Sequence, residues 1–168
     1  ALVQGCRIAG ATTIVAADLN PVKRKAAEEN GATHSVDPSE NDVGDFVRGL
    51  TEGRGADFAF EVVGIPALQR EVYDMTRPGG VCCWVGVTNM TDEVSLPAAL
   101  ITLQNKSVVG TIYGSANVKR DFLTFVDYAK EGKLDLASMV SQRIGVGDIN
   151  EAFTAMLEGD VIRSVVVY

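Results

Sequence analysis

The chain has 168 residues, 46% of them hydrophobic and 22% charged, with 15 Lys and Arg against 22 Asp and Glu. That length and apolar fraction supply a core for about one ordinary domain and exclude intrinsic disorder. The net charge of -7 argues against a nucleic-acid or anionic-membrane surface, either of which needs a basic patch.

No stretch reaches the roughly 18 uncharged apolar residues that a membrane span requires. The three cysteines, two of them the neighbours Cys82 and Cys83, neither build a disulfide framework nor show the spacing of a zinc cage. A soluble protein of a reducing, cytoplasmic setting is the default expectation.

Leu2, Val3, Cys6 and Ala9 fall near helical spacing, with Gly10 as the stop. With no Met, cap or secretory pattern ahead of them, they read as the second half of a helix, and the chain as a fragment. Residues 12–17 are short, β-rich and apolar on both faces, as in a buried parallel strand, and Asp18 closes it. Asn20 caps the next helix, with Pro21 in its first turn and Asn30-Gly31 as its stop. Residues 33–36 form a short strand ended by Asp37-Pro38. Ser39, with Asp42 three residues on, has the form of a capping box for a helix striped by Val43, Phe46, Val47 and Leu50.

Residues 57–63 are the next strand, followed by the turn Gly64-Ile65-Pro66. Leu68, Val72 and Met75 then mark a helix that stops at Pro78-Gly79-Gly80. Residues 81–87 and 107–113 are further strands. The alternation predicts βαβ units, hence an α/β fold: a doubly wound, Rossmann-type parallel sheet with helices on both faces.

From Gly114 the rhythm changes. Phe122, Phe125, Val126 and Ala129 stripe one helix, and a strand is expected over residues 140–144. Asp148, with Glu151 at the capping-box position, starts another helix, and residues 161–168 end the chain as a β-branched strand. The expected division is 1–113 as one domain and 114–168 as a segment belonging to a second.

Open parallel sheets place ligands beyond the carboxyl ends of their strands, and Asp18 stands at such an end. A carboxylate there accepts both hydroxyls of a nucleotide ribose and repels a 2′-phosphate; the plainer reading is a solvated residue before a turn. Lys23, Arg24 and Lys25 lie early in the following helix and Glu28 and Glu29 late, an order that opposes the helix dipole. Contact with a bound dinucleotide would explain Lys23, whereas Arg24 and Lys25 read as solubility charges. The phosphate turn G-x-G-x-x-G is absent, and counting back about 20 residues from Asp18 places it at or before Ala1.

Val62-Val63-Gly64, Val85-Gly86-Val87 and Ile112-Tyr113-Gly114 each end a predicted strand with a glycine alongside, where a flat ring can approach backbone; tight turns after core strands are the alternative. Arg163 is the only charge in the last apolar run, which suits a phosphate partner unless it projects from an exposed edge. His34, the only histidine, has no nucleophile pattern near it, and Cys82 and Cys83 read as core.

In order and spacing, the chain resembles the zinc-dependent medium-chain alcohol dehydrogenases over essentially its whole length. The matching phrases are residues 10–20 (GATTIVAADLN), 29–34 (ENGATH), 55–64 (GADFAFEVVG), 78–80 (PGG), 85–87 (VGV), 110–114 (GTIYG) and 148–153 (DINEAF). The resemblance implies NAD as cofactor, with Asp18 as ribose acid and Lys23 as the adenosine-side lysine. It makes Val62 and Val63 the adenine and ribose wall. Val85, Val87, Thr111 and Tyr113 would surround the nicotinamide, and Arg163 would serve the pyrophosphate. It also implies hydride transfer with an alcohol or aldehyde, a homodimer through the edge strand over residues 107–112, and a catalytic zinc held by a domain this chain does not contain. Ile65 stands where some members carry an arginine.

A methyltransferase also ends its second strand in an acid and carries a turn like Arg77-Pro78-Gly79-Gly80, but closes with an antiparallel hairpin. A non-catalytic nucleotide-binding module is the third reading. In the strand order 3-2-1-4-5-6 the first strand is central. If it is missing, the strands ending at Asp18 and Val63 leave a gap, pair directly, or are bridged by another chain.

Overall fold

The structure is a computed structural model that describes residues 1–159 and 161–168. The chain divides into two compact units, one of Ala1–Ser39 with Asn117–Tyr168 and the other of Glu40–Ala116.

The first unit opens with α1 (Leu2–Ile8), then β1 (Val15–Ala17), α2 (Pro21–Glu29) and β2 (His34–Val36). β1 and β2 run parallel, in register from Val15 opposite His34 to Ala17 opposite Val36. The helix between them starts as expected, with Pro21 in its first turn and Asn20 Oδ1 accepting from the Val22 amide at 2.8 Å. Ile14, Ala32, Val36 and Met139 are the buried apolar residues of this unit. The polar Gln4 is buried beside them. Its Nε2 donates to Asp135 O at 2.9 Å and to Asn30 Oδ1, while its Oε1 accepts from Asp135 N at 2.7 Å. A buried amide is tolerated only when so satisfied.

The tail supplies α6 (Val118–Lys130), β6 (Gln142–Ile144), α7 (Ile149–Glu158) and β7 (Ser164–Val166), the two strands pairing in parallel. Asp148 does not cap α7 as expected: its carboxylate accepts from the Gly145 amide at 3.0 Å and makes no side-chain cap on that helix. β7 is also shorter than the expected run, so Arg163 lies just ahead of it.

The second unit contains α3 (Val43–Leu50), β3 (Ala56–Glu61), α4 (Pro66–Met75), β4 (Thr76–Trp84), α5 (Ala98–Leu103) and β5 (Ser107–Gly110). Its sheet is parallel throughout in the order β3-β4-β5. α4 lies against β3 and β4, and α3 packs on α4. The core is made of Val43, Val47, Ala59, Tyr73, Met75, Cys82 and Cys83, with Cys82 fully enclosed.

Three expectations change here. Asp42 caps α3, accepting from Asp45 N at 2.7 Å, because Ser39 is already engaged through its amide and hydroxyl by Asp37 Oδ1 at 2.9 and 2.6 Å. β4 begins at Thr76, directly after α4, since a proline at 78 favours extended backbone before it. α5 falls in a stretch to which the sequence assigned no element.

The expected parallel strands joined by helices are present, and the fold is Rossmann-like. Among the described residues the strands form three separate parallel sheets, and β1 and β3 are not paired with each other. No helix among the described residues is long and apolar enough to cross a membrane.

Candidate functional site

In the first unit, Asp18 follows β1 directly, its amide donating to Val36 O at 3.3 Å. Its Oδ1 accepts from the Asn20 amide at 2.8 Å, which fixes the carboxylate at the mouth of α2. Asn20 Nδ2 donates to Gly159 O at 3.0 Å. The Lys23 ammonium lies at the same place: a methyl group built on Gly159 would stand 3.6 Å from Nζ. Lys23 thus faces the carboxyl end of α7, whose carbonyls favour a cation.

Arg24 departs from its expected role as a solubility charge. Its Nη1 donates to Asp18 O at 2.7 Å and Leu19 O at 2.9 Å, and pairs with Asp37 Oδ2 at 2.8 Å. Its side chain is only 19% exposed. Lys25 does stay in solvent, 3.9 Å from Glu29. Arg163 is exposed rather than enclosed in a strand, and its carbonyl accepts from Ser141 N at 2.9 Å.

In the second unit the chain ends of β3, β4 and β5 converge. Glu61, the last residue of β3, is 3% exposed. Its Oε1 accepts from the amides of Val63 and Gly64, both at 2.7 Å, while its carbonyl accepts from Val85 N at 2.7 Å and Gly86 N at 3.1 Å. The two turns are in backbone contact. A methyl group on Gly86 would lie 2.1 Å from Gly64 N, and one on Gly64, whose φ is 88°, would lie 2.4 Å from Val87 O.

This clamp leaves Val62, Val63 and Val87 outward, all more than half exposed, with Val85 half-buried. Thr111 N donates to Trp84 O at 3.1 Å, so Thr111 joins the same rim. Tyr113 is almost wholly exposed in a tight turn with φ 48°. The structure therefore groups Val62, Val63, Val85, Val87 and Thr111 at one sheet end, and Asp18 with Lys23 at another. Glu61 and the Arg24–Asp37 pair were missed by sequence reasoning. The available signal for Glu61 was a carboxylate set between the apolar residues Phe58-Ala59-Phe60 and Val62-Val63.

A model of the zinc-binding dehydrogenase family matches residues 1–131. The chain belongs to that family. Among the relatives of this chain, S-(hydroxymethyl)glutathione dehydrogenase of Paracoccus denitrificans is 35% identical over 176 residues, covering 99% of this chain and 46% of the relative. An alcohol dehydrogenase zinc-binding domain protein from Burkholderia ambifaria superposes with a TM-score of 0.92 at 28% identity, covering 98% of this chain and 44% of that one. A further neighbour, from Sinorhizobium meliloti 1021, was solved bound to NADP; it is 28% identical with a TM-score of 0.81, covering 90% of this chain and 44% of that one. The chain spans about half the length of the curated relatives it matches.

The residues described do not fit the family's zinc. No group of His, Cys, Asp and Glu among them converges to hold a metal ion. Burial pushes the Cys82 thiol up to about 11, away from the thiolate a metal needs.

Proposed function

We propose that this chain is the NAD-binding part of an alcohol dehydrogenase-like oxidoreductase that transfers hydride between an alcohol or aldehyde and the cofactor. The observation that carries this reading is the Asp18 carboxylate, half-buried at the carboxyl end of a parallel strand and oriented by the Asn20 amide. Bound NAD supplies the hydride acceptor in its nicotinamide ring.

Asp18 accepts the two hydroxyls of the adenosine ribose and repels a 2′-phosphate, which favours NAD over NADP. Lys23 adds positive charge on the adenosine side and Arg163 beside the pyrophosphate. In the second unit, exposed Val62 and Val63 offer an apolar wall for adenine. The backbone of Val85 and Val87, with Thr111 and Tyr113, offers polar groups to a nicotinamide carboxamide. The catalytic zinc would be held by residues other than those described.

The three free cysteines suit a reducing, cytoplasmic setting. β5 is an edge strand, and exposed Val109 and Ile112 on and beyond it offer a surface for a second copy, making a homodimer. Residues 114–168 would return to the domain that carries the zinc.

Calorimetric titration of the protein as encoded in full, with NAD+ and with S-adenosylmethionine, tests the reading. NAD+ alone should bind. Preferential binding of the methyl donor would favour the methyltransferase instead.

A further inference from the structure

Asp18 and Asp37 occupy equivalent positions on neighbouring strands. The β1–β2 register ends with Ala17 opposite Val36, and each acid is the next residue along. Their carboxylates are nevertheless used differently. Asp18 Oδ1 takes the Asn20 amide within its own turn. Asp37 Oδ1 takes the Ser39 amide and hydroxyl, and its Oδ2 takes the Arg24 guanidinium at 2.8 Å. Arg24 in turn grips the carbonyls of Asp18 and Leu19 at 2.7 and 2.9 Å. A guanidinium therefore sits on the backbone of the candidate ribose acid itself, with its Nη1 directed to the Asp18 and Leu19 carbonyls and to Asp37.

Guanidinium groups bind phosphate well through paired donors, so an arginine so close to the ribose acid would ordinarily invite a 2′-phosphate. We propose that Asp37 and Arg24 are a specificity-determining pair: Asp37 holds Arg24 on the carbonyl side of the Asp18–Leu19 turn and withholds it from a 2′-phosphate. NADP is then rejected twice, by the charge of Asp18 and by the engagement of a guanidinium that could offset it. This inference rests on the proposed NAD site and adds residues that do not themselves touch NAD.

The test is the ratio of NADP+ to NAD+ dissociation constants in the protein as encoded in full. Asp37→Asn frees Arg24 and should lower that ratio roughly tenfold, about the effect of one charge-assisted hydrogen bond, by tightening NADP+ rather than by loosening NAD+. Adding Arg24→Met to Asp37→Asn should restore the rejection. A merely structural pair would weaken both cofactors together and leave the ratio in place, and that result overturns the inference. Should Asp37→Asn fail to fold, Ser39→Ala, at an exposed position, loosens the same carboxylate and should move the ratio the same way by a smaller factor; an unchanged ratio there also overturns it. If the unaltered protein binds neither dinucleotide, the NAD reading fails first and takes this one with it. If it binds NAD+ and the variants keep its ratio, only the tether is wrong.

Discussion

Asp18 and Glu61 are both acids at the carboxyl end of a parallel strand, and the molecule puts them to opposite uses. Glu61 turns inward: 3% exposed, it binds the amides of the turn that follows it and is structural cement. Asp18 stays half-buried, satisfied by one local amide, while its turn is braced from behind by Arg24 and Asp37. The lesson is that position at a strand end does not make an acid a ligand. What separates the two is who satisfies the backbone of the turn. Where Arg24, held by Asp37, braces the loop, the strand-end carboxylate is the one we propose for a ligand.

The contrast breaks most sharply at Gly86. In Gly86→Ala the added methyl meets Gly64 N at 2.1 Å, backbone against backbone. Urea unfolding should show a loss of about 3 kcal/mol, the upper range of overpacking. A variant as stable as the parent would mean the two turns do not lean on each other.

Truncating the acids themselves comes next. Glu61→Ala strips the Val63 and Gly64 amides of their acceptor and should cost about 2 kcal/mol of stability. Asp18→Ala should cost less than about 1 kcal/mol, because a single, partly solvated amide loses its partner. Equal losses in thermal melts would erase the distinction between the two residues.

The smallest effects concern pH. Bonds from Ser39, and then the charge of Arg24, hold the Asp37 carboxyl below its ordinary value. Its contribution to stability is therefore complete above the unfolded value near 3.9 and is lost as pH falls through the folded one. In the second unit, burial lowers the Lys106 ammonium, which donates to Tyr73 O at 2.9 Å. Between that lowered value and roughly 10.4 the unfolded chain binds more protons, so stability rises with pH there. Melting curves should lose the acid-side slope in Asp37→Asn and the alkaline-side slope in Lys106→Met, each without disturbing the other.

Much of this was legible in the sequence because it rests on local rules. Asn20 with Pro21 announced α2, and the β-branched runs announced strands whose cores the structure keeps, with Cys82 fully buried as expected. Errors came where side chains compete for the same groups. Ser39 matched a capping pattern, but Asp37 claims its amide and hydroxyl, leaving Asp42 as the cap. Asp148 likewise turned back to Gly145. The bracing role of Arg24 was invisible because it depends on Asp37, brought alongside only by pairing of β1 with β2. The place of Asp18 at a strand end was legible because the strand and the capped helix that follows it both lie within a few residues of it.

The proposed NAD site depends on Asp18 holding the adenosine ribose. Titrating the protein as encoded in full with NADH and with its 2′-deoxyadenosine analogue, in parent and Asp18→Ala forms, tests this contact alone. The parent should bind the analogue roughly tenfold more weakly, as expected for a lost hydrogen bond to a charged group, and the variant should bind both alike. The same penalty in both forms would contradict it.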